Sequence, residues 1–180
     1  EKNEEELAYL ESLCFQAETA INDDDLGATK SELTHSGYLK EHKRSMKEKY
    51  DAPLPPIETV YEGYTILIGR NNKQNDRLTL KTAQKDDLWL HTKDIPGSHV
   101  IIRRKGNEAI PEEVILRAAR YAAFHSKAAA SPKVPVDYTE VRNIRKTGDL
   151  KPGMVLYEKY ETAYITPDPA LPEKLALKKK

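Results

Sequence analysis

The side chains best suited to binding an anion lie in a stretch of cations and amides at residues 70–81. Its four cations are spaced by three, four and four residues, so a helix would align them in one stripe: Arg70, Lys73, Arg77 and Lys81. Amides crowd the first turn of that predicted helix: Asn71, Asn72, Gln74 and Asn75. Free N–H groups at a helix start attract phosphate, and amides can read base edges or sugar hydroxyls. A solvated helix capped by Asn71 explains the same spacing, and both interpretations stay open.

Two histidines next to a Pro-Gly turn form the second group with possible chemistry. His91 and His99 flank the turn at Pro96 and Gly97, so they could approach one another across two strands, with Asp94 between them. Such a set could hold zinc, or serve as acid–base or nucleophilic machinery with Ser98. The spacing matches no metal motif, no cysteine is close, and no nucleophile elbow is present. We therefore favour hydrogen bonding, with an imidazole that adds positive charge towards a phosphate.

Trp89, the only tryptophan, lies between Leu88 and Leu90 in a segment that predicts a strand. A core position is the favoured interpretation, whereas an exposed indole would offer a surface on which a base can stack. The same ambiguity applies to Tyr138, Tyr157 and Tyr160.

Two further groups of cations would form a second basic patch if the strand ends that carry them meet: Arg103, Arg104, Lys105, Arg142, Arg145 and Lys146.

Composition restricts the class of protein. The 29 basic and 29 acidic side chains cancel, yet residues 69–104 hold eight bases against four acids, a local surface that an anionic partner would meet. Apolar runs are far shorter than a membrane span. The single cysteine excludes an internal disulfide framework and fits a reducing compartment. The chain opens on EKNEEE without a methionine, which suggests a piece of a longer protein.

The order of predicted elements gives the fold class. Residues 1–22 predict a helix whose apolar seam steps by three and four residues: Leu7, Leu10, Cys14, Ala17 and Ile21. A second helix begins near Asp24, Gly37 interrupts it, and helix resumes at residues 41–50. Three prolines in 51–58 mark a boundary.

After this boundary the sequence predicts strands, a helix from Asn71, a hairpin at 87–103, an alanine-rich helix from Pro111, and paired strands around the turn GDLKPG. We therefore expect an α+β fold, with a mainly antiparallel sheet and two packed helices, preceded by a helical arm that forms the end of a coiled coil.

Three segments carry a family resemblance: GRNNKQNDRLT, DLWLHTKDIPGSHVII and VPVDYTEVRNIRKTGDLKPGMVLY. They resemble the C-terminal NFACT-R domain of the bacterial fibronectin-binding protein A family, also called the RqcH family, which is related to the eukaryotic NEMF-type factors. The resemblance covers residues 57 to about 167. It implies four segments: a helical arm at 1–50, a proline-rich linker at 51–58, the NFACT-R domain at 59–170 and a basic tail at 171–180.

The resemblance also implies a function. Family members bind the stalled large ribosomal subunit and tRNA and support C-terminal alanine tailing in the cytoplasm. From the residues themselves we expect no cofactor and no metal in this module. Host fibronectin at the bacterial surface is the alternative partner. The spacing of the cation stretch and the family motifs together predict these RNA-binding residues: Arg70, Asn71, Asn72, Lys73, Asn75, Arg77, Lys81, His91, Lys93, Ser98 and His99. One departure is Glu161-Thr162, where the family usually has Lys-Thr, so an RNA-facing edge loses a positive charge.

Overall fold

The computed structural model describes residues 2–20, 22–40 and 55–167. The chain divides into two compact units, Glu1–Pro55 and Pro56–Lys180. The predicted helix at 41–50, the first half of the proline-rich linker and the basic tail at 171–180 lie outside the described residues. Within the described ranges, each helix is too short or too polar to cross a bilayer.

The first unit contains two helices in contact, α1 (Lys2–Glu18) and α2 (Asp23–His35). The side chain of Asn22 caps α2 by accepting the Asp25 N–H, and Gly37 follows the helix with a φ of 83°. The predicted apolar seam is wrong in register, because Tyr9 and Leu13 are buried whereas Leu7 and Cys14 are exposed. The buried Tyr9 joins the two helices through its hydroxyl group.

The anchoring contact joins α1 to the end of α2. The Tyr9 hydroxyl donates to the buried carboxylate of Glu32 at 3.0 Å and lies 2.9 Å from Ser36 Oγ. Burial, with the Glu32 carboxylate, raises the pKa of Tyr9 to about 12. The contact thus shifts from the predicted seam to Tyr9 and Leu13, with a buried hydrogen bond at Tyr9.

The second unit is an α+β domain around an antiparallel six-stranded sheet in the order β1-β2-β4-β3-β5-β8, which confirms the predicted fold class. Its strands are β1 (Ile57–Tyr61), β2 (Tyr64–Ile68), β3 (Leu88–Thr92), β4 (Val100–Ile102), β5 (Val134–Glu140) and β8 (Glu161–Ile165). A separate two-stranded hairpin consists of β6 (Ile144–Arg145) and β7 (Leu156–Tyr157). The predicted paired strands around GDLKPG are thus nested, with β6–β7 inside β5–β8.

The two faces of the large sheet have different covers. Helix α4 (Glu112–Phe124) packs with its buried alanines, Val114 and Tyr121 on a core that includes Ile66, Leu90 and Val136. The opposite face, called the α3 face below after helix α3 (Asn72–Arg77), carries a smaller core of Leu67, Leu78, Trp89 and Ile101. Because side chains alternate along a strand, the odd-numbered residues of β3 and β5 point to the α3 face.

The cation stretch forms two short elements in place of one helix. Helix α3 (Asn72–Arg77) is followed by a π-helical turn at Leu78–Thr82, in which the Ala83 N–H donates to Leu78 O at 2.9 Å. The wider turn directs both Leu78 and Thr79 at the sheet, where they are buried, whereas Leu80 is exposed. Such turns are rare and occur often at functional sites.

Candidate nucleic-acid interface

The start of α3 is fixed by a reciprocal pair of side chain to backbone hydrogen bonds. Asn71 Oδ1 accepts the Gln74 N–H at 2.9 Å, and Gln74 Oε1 accepts the Arg70 N–H at 2.7 Å. This arrangement is a variant of the capping box, and it occupies one of the first-turn N–H groups that we expected to attract phosphate. Attraction of an anion therefore depends mainly on the cations further along.

Asn75 joins α3 to the turn between β3 and β4. Its Oδ1 accepts the His99 N–H at 3.1 Å, and its Nδ2 donates to Gly97 O at 3.3 Å, so the buried amide satisfies two backbone groups. The chain approaches so closely that a Cβ at Gly69 would collide with the Asn75 side chain. Asn75 therefore fixes the position of α3 against the turn between β3 and β4.

Asp76 and Asn72 attach α3 to the β6–β7 hairpin. Asp76 accepts hydrogen bonds from Lys146 Nζ at 2.6 Å and from the Gly153 N–H at 3.1 Å. A Cβ at Gly153, whose φ is 79°, would lie 2.5 Å from Asn72 Oδ1. Asn72 is buried by this close contact, so these residues also act in packing.

Three cations remain exposed on this anchored segment. Lys73 and Arg77 lie on α3, and Lys81 lies on the π-helical turn. Arg70 precedes the cap and is half-buried, so the predicted four-residue stripe becomes an exposed group of three. An exposed cation group on a rigid support is suited to neutralising phosphates.

The two histidines meet as predicted, with ring centroids 5.2 Å apart. Both rings pack against Trp89, with His91 nearly parallel to the indole and His99 edge-on, and His99 Nδ1 is hydrogen-bonded to Thr79 Oγ1 at 2.8 Å. Burial lowers the pKa of His91 to about 4 and holds the pKa of His99 well below its ordinary value. These lowered pKa values favour neutral rings at neutral pH, which weighs against the expectation that an imidazole brings charge to a phosphate.

Trp89 is a core residue, which confirms the favoured interpretation. It has no exposed surface and packs against Tyr157 at 4.9 Å between ring centroids, so it offers no stacking surface. Among the described residues its Nε1 has no hydrogen-bond partner. Ser98 is buried too, and its N–H donates to His125 O, which places it in the architecture of the turn.

A polar cluster lies beside the histidines on the α3 face. The buried carboxylate of Asp137 accepts from the Tyr157 hydroxyl at 2.8 Å and from Thr162 Oγ1 at 2.6 Å, and Lys93 Nζ is 4.0 Å away. Lys93 also donates to the Tyr160 hydroxyl at 3.3 Å, and this bond, followed by Asp137, raises the pKa of Lys93. Lys93 is thus a partly exposed cation at the rim of a buried network.

The second basic patch is largely compensated by acids. Asp87 accepts from Arg103 Nη1 at 2.8 Å and from the Arg104 N–H at 2.9 Å. Glu140 pairs with both Arg104 and Arg142. Since Lys146 is bound to Asp76, most of the predicted patch is an ion-pair network that stabilises strand ends.

The metal and catalytic hypotheses depend on His91, His99 and Asp94. Within residues 2–20, 22–40 and 55–167, no group of three or more His, Cys, Asp or Glu side chains is arranged to hold a metal ion. Asp94 is exposed with a φ of 54° in the turn after β3, while the two rings pack against the buried Trp89.

Two features were missed by reasoning from the sequence. Asp137 organises the polar cluster, and its only sequence signal is an acid at a position that alternates with the apolar residues of VPVDYTE. Tyr164 is 64% exposed on the edge strand β8, and the alternation of Tyr160, Thr162 and Tyr164 was the available signal.

Glu161 lies on the other face of the sheet from Thr162, where it accepts from the Tyr138 hydroxyl at 2.8 Å. The Glu161 departure therefore leaves the α3 face unaffected.

Comparisons with known proteins agree with this fold. A family model described as the NFACT protein RNA binding domain matches residues 58–159. The chain is 43% identical over 168 residues to the Rqc2 homolog RqcH of Bacillus subtilis (strain 168), an alignment that covers 92% of the chain and 29% of the relative. It is 41% identical over 171 residues to the RqcH of Streptococcus suis, covering 93% and 30%. The chain thus spans less than a third of these relatives.

A solved structure is similar along almost the whole chain. The C-terminal part of the fibronectin/fibrinogen-binding protein from Streptococcus suis superposes with a TM-score of 0.85 at 36% identity, covering 96% of this chain and 68% of that one. Mouse coiled-coil domain-containing protein 25 is 30% identical over 106 residues, covering 57% of this chain and 50% of the relative.

Proposed function

The chain belongs to the family defined by the NFACT protein RNA binding domain, and from this premise we propose that it is a noncatalytic RNA- and ribosome-binding module. The similarity to RqcH proteins supports a place in a ribosome quality-control factor. The proposed partners are the stalled large ribosomal subunit and tRNA, and the proposed role is to support C-terminal alanine tailing in the cytoplasm. No cofactor enters this proposal.

The observation that carries the proposal is the exposed cation group of Lys73, Arg77 and Lys81. It stands on a segment that Asn75 and Asp76 tie to the sheet and to the β6–β7 hairpin. An ordered backbone support avoids the cost of ordering a loop on binding, and each neutralised phosphate releases counterions. An exposed cation group on such a support is therefore suited to RNA binding.

The remaining site residues act as a support in this proposal. The caps and buried amides hold α3 in place, and the two histidines pack on Trp89. Ser98 fixes the turn through the bond from its N–H to His125 O, and Lys93 adds a cation at the rim. The supporting residues are Arg70, Asn71, Asn72, Asn75, His91, Ser98 and His99. Their loss would act through the shape of the surface.

The test is fluorescence anisotropy of labelled tRNA titrated with the 180-residue chain at two salt concentrations. Charge reversal of the cation group, with Lys73→Glu, Arg77→Glu and Lys81→Glu together, is expected to weaken binding at least tenfold. The slope of log affinity against log salt should fall by about 0.9 for each phosphate that the variant no longer neutralises. Fibronectin is titrated in parallel.

The matched control reverses three exposed cations elsewhere in the chain, Lys30, Arg120 and Lys127. Both variants change the net charge equally, so a weakening confined to the first variant assigns the binding to the cation group. If the variant of Lys73, Arg77 and Lys81 binds tRNA with the same affinity as the unmodified chain, the proposal is overturned.

A second candidate function is fibronectin binding at a bacterial surface. It is favoured by the similar structure of the fibronectin/fibrinogen-binding protein from Streptococcus suis. An added strand on a sheet edge or a charged surface could supply the contact. Capture of fibronectin that nuclease treatment leaves unchanged, without tRNA binding, would support this candidate.

A further inference from the structure

The edge strand β8 presents two exposed tyrosines on the α3 face. Tyr160 directly precedes the strand and is 43% exposed, and Tyr164 within it is 64% exposed. Thr162 lies between them and points to the same face, where its hydroxyl donates to Asp137. Residues two apart on a strand share a face, so Tyr160, Thr162 and Tyr164 form one row, called the tyrosine row below.

A lysine accompanies each tyrosine. Lys93 Nζ is 5.0 Å from the centroid of the Tyr160 ring, and Lys133 Nζ is 5.5 Å from that of Tyr164. A cation over a ring covers one face of it, and exposed pairs of this kind are weak. Lys133 can therefore leave its ring for a phosphate without a large decrease in stability. Lys93 also donates to the Tyr160 hydroxyl and lies 4.0 Å from Asp137, so it stays beside its ring and meets a phosphate there.

The charge around the tyrosine row is mixed. Asp137 is buried and already bound by Tyr157 and Thr162, and Glu161 belongs to the opposite face. Asp94, however, is exposed in the turn that follows β3. Charge alone therefore gives this surface little attraction for duplex phosphates, and the exposed rings are its main feature.

We propose that the tyrosine row binds single-stranded RNA, by stacking one base on Tyr160 and another on Tyr164, with Lys93 and Lys133 directed at the connecting phosphates. This inference rests on the proposed RNA-binding function and assigns it a second contact surface. Four steps of extended chain place the Cα atoms of Tyr160 and Tyr164 about 13 Å apart, so each ring takes its own base. Stacking on aromatic rings is tolerant of sequence because every base has a π face.

The rigidity of the support favours this use. Thr139 Oγ1 contacts both Glu158 O at 3.1 Å and Lys159 O at 3.0 Å, and so fixes the turn before Tyr160. Lys159 adopts a φ of 52° in this turn, a conformation that a non-glycine residue adopts at a cost and that recurs at binding sites. Tyr160 is thus held in place before a ligand arrives.

The experiment is fluorescence anisotropy with a labelled oligouridine of about 12 nucleotides, within the range of single-strand binding sites. The double variant Tyr160→Ala/Tyr164→Ala is expected to bind it at least tenfold more weakly than the unmodified chain. The double variant Tyr160→Phe/Tyr164→Phe keeps both rings and should bind within about twofold of it. Both tyrosines are exposed, and an unchanged circular dichroism melting curve verifies folding.

The outcomes separate this inference from the proposed function. If the alanine variant binds oligouridine as the unmodified chain does, the tyrosine row is not a stacking surface, even when charge reversal at Lys73, Arg77 and Lys81 abolishes tRNA binding. Binding of tRNA without binding of oligouridine by the unmodified chain would also overturn the inference and leave the proposed function standing. Weaker oligouridine binding by the alanine variant alone supports it.

Discussion

Acidification is expected to destabilise the second unit well before its carboxylates titrate. Burial lowers the pKa of His91 to about 4, and burial together with the Arg70 charge does the same for His125. Burial and the neighbouring His91 lower the pKa of His99 in the same direction. In the unfolded chain each imidazole has a pKa of about 6.5. Below that pH the unfolded state therefore binds more protons than the folded state does.

The magnitude follows from these values. A histidine with a folded pKa of about 4 contributes its stabilisation in full above pH 6.5, and loses it as the pH falls towards 4. Between pH 7.5 and 5 the decrease is about 2 kcal/mol for one such residue, because one pKa unit equals about 1.4 kcal/mol. His91 and His125 together give about 4 kcal/mol, and His99 adds to it. Domains of this size are stable by about 5–15 kcal/mol, so the decrease is large.

The assay is urea unfolding followed by far-ultraviolet circular dichroism at pH 7.5 and 5, at constant ionic strength. This window lies above the ordinary pKa values of Asp and Glu, so histidines dominate the difference. Replacing one of them, with His125→Leu, should reduce the difference in unfolding free energy between the two pH values by about 2 kcal/mol. The comparison uses the pH difference, so a general destabilisation by the variant cancels.

A change in unfolding free energy below about 0.5 kcal/mol between the two pH values would refute the reasoning. Nuclear magnetic resonance gives an independent check, because the ring protons of His91, His99 and His125 should show neutral imidazoles in the folded chain at pH 5. Charged rings in the folded state would mean that the histidines reach solvent.

Two substitutions test the anchoring of the cation group, with the unfolding free energy in urea as the measurement. Asn75→Ala removes both bonds that join α3 to the turn, and is expected to cost about 2–4 kcal/mol because it leaves two buried backbone groups unsatisfied. Asp76→Ala leaves the partly buried Lys146 without its carboxylate and is expected to cost about 1.5–3 kcal/mol.

Asp149→Ala is the control for Asp76→Ala, because it removes an exposed carboxylate from the loop of the β6–β7 hairpin. It should change the unfolding free energy by less than about 0.5 kcal/mol. A cost for Asp76→Ala no larger than that of the control would mean that the link to Lys146 contributes nothing. If Asn75→Ala lowers the unfolding free energy by less than about 1 kcal/mol, water must replace the amide as the partner of the Gly97 and His99 backbone groups.

Local signals predicted most of the fold. The alternating apolar residues of β3 and β5, the Pro-Gly turn and the alanine-rich helix after Pro111 each specify one element, and the family resemblance joins them into one architecture. The meeting of His91 and His99 followed from pairing of two strands alone. Elements defined by short-range periodicity and turn residues are the ones that sequence predicts well.

Features that depend on long-range packing were not predicted. The π-helical turn at Leu78–Thr82 has no sequence pattern distinct from a continuing helix, and it exists because Leu78 and Thr79 both pack on the sheet. In α1 the apolar spacing suggested Leu7 and Cys14 as core, but the hydroxyl of Tyr9 finds a partner in Glu32 and sets another register. A buried hydrogen bond between helices cannot be read from one helix alone.

The residues that identify the family and the residues that would touch RNA are largely different. Asn75 and Asp76 stand in the motif by which the chain is recognised, yet their side chains are bound to the turn and to Lys146. Residues such as Lys73 and Tyr164 carry the exposed charge and ring surface, but their types occur on any protein surface. If a substitution of Asn75 or Asp76 abolishes RNA binding, the cause would therefore be the loss of the anchored α3 structure. Only substitutions of exposed residues that leave the stability unchanged can identify the surface that contacts RNA.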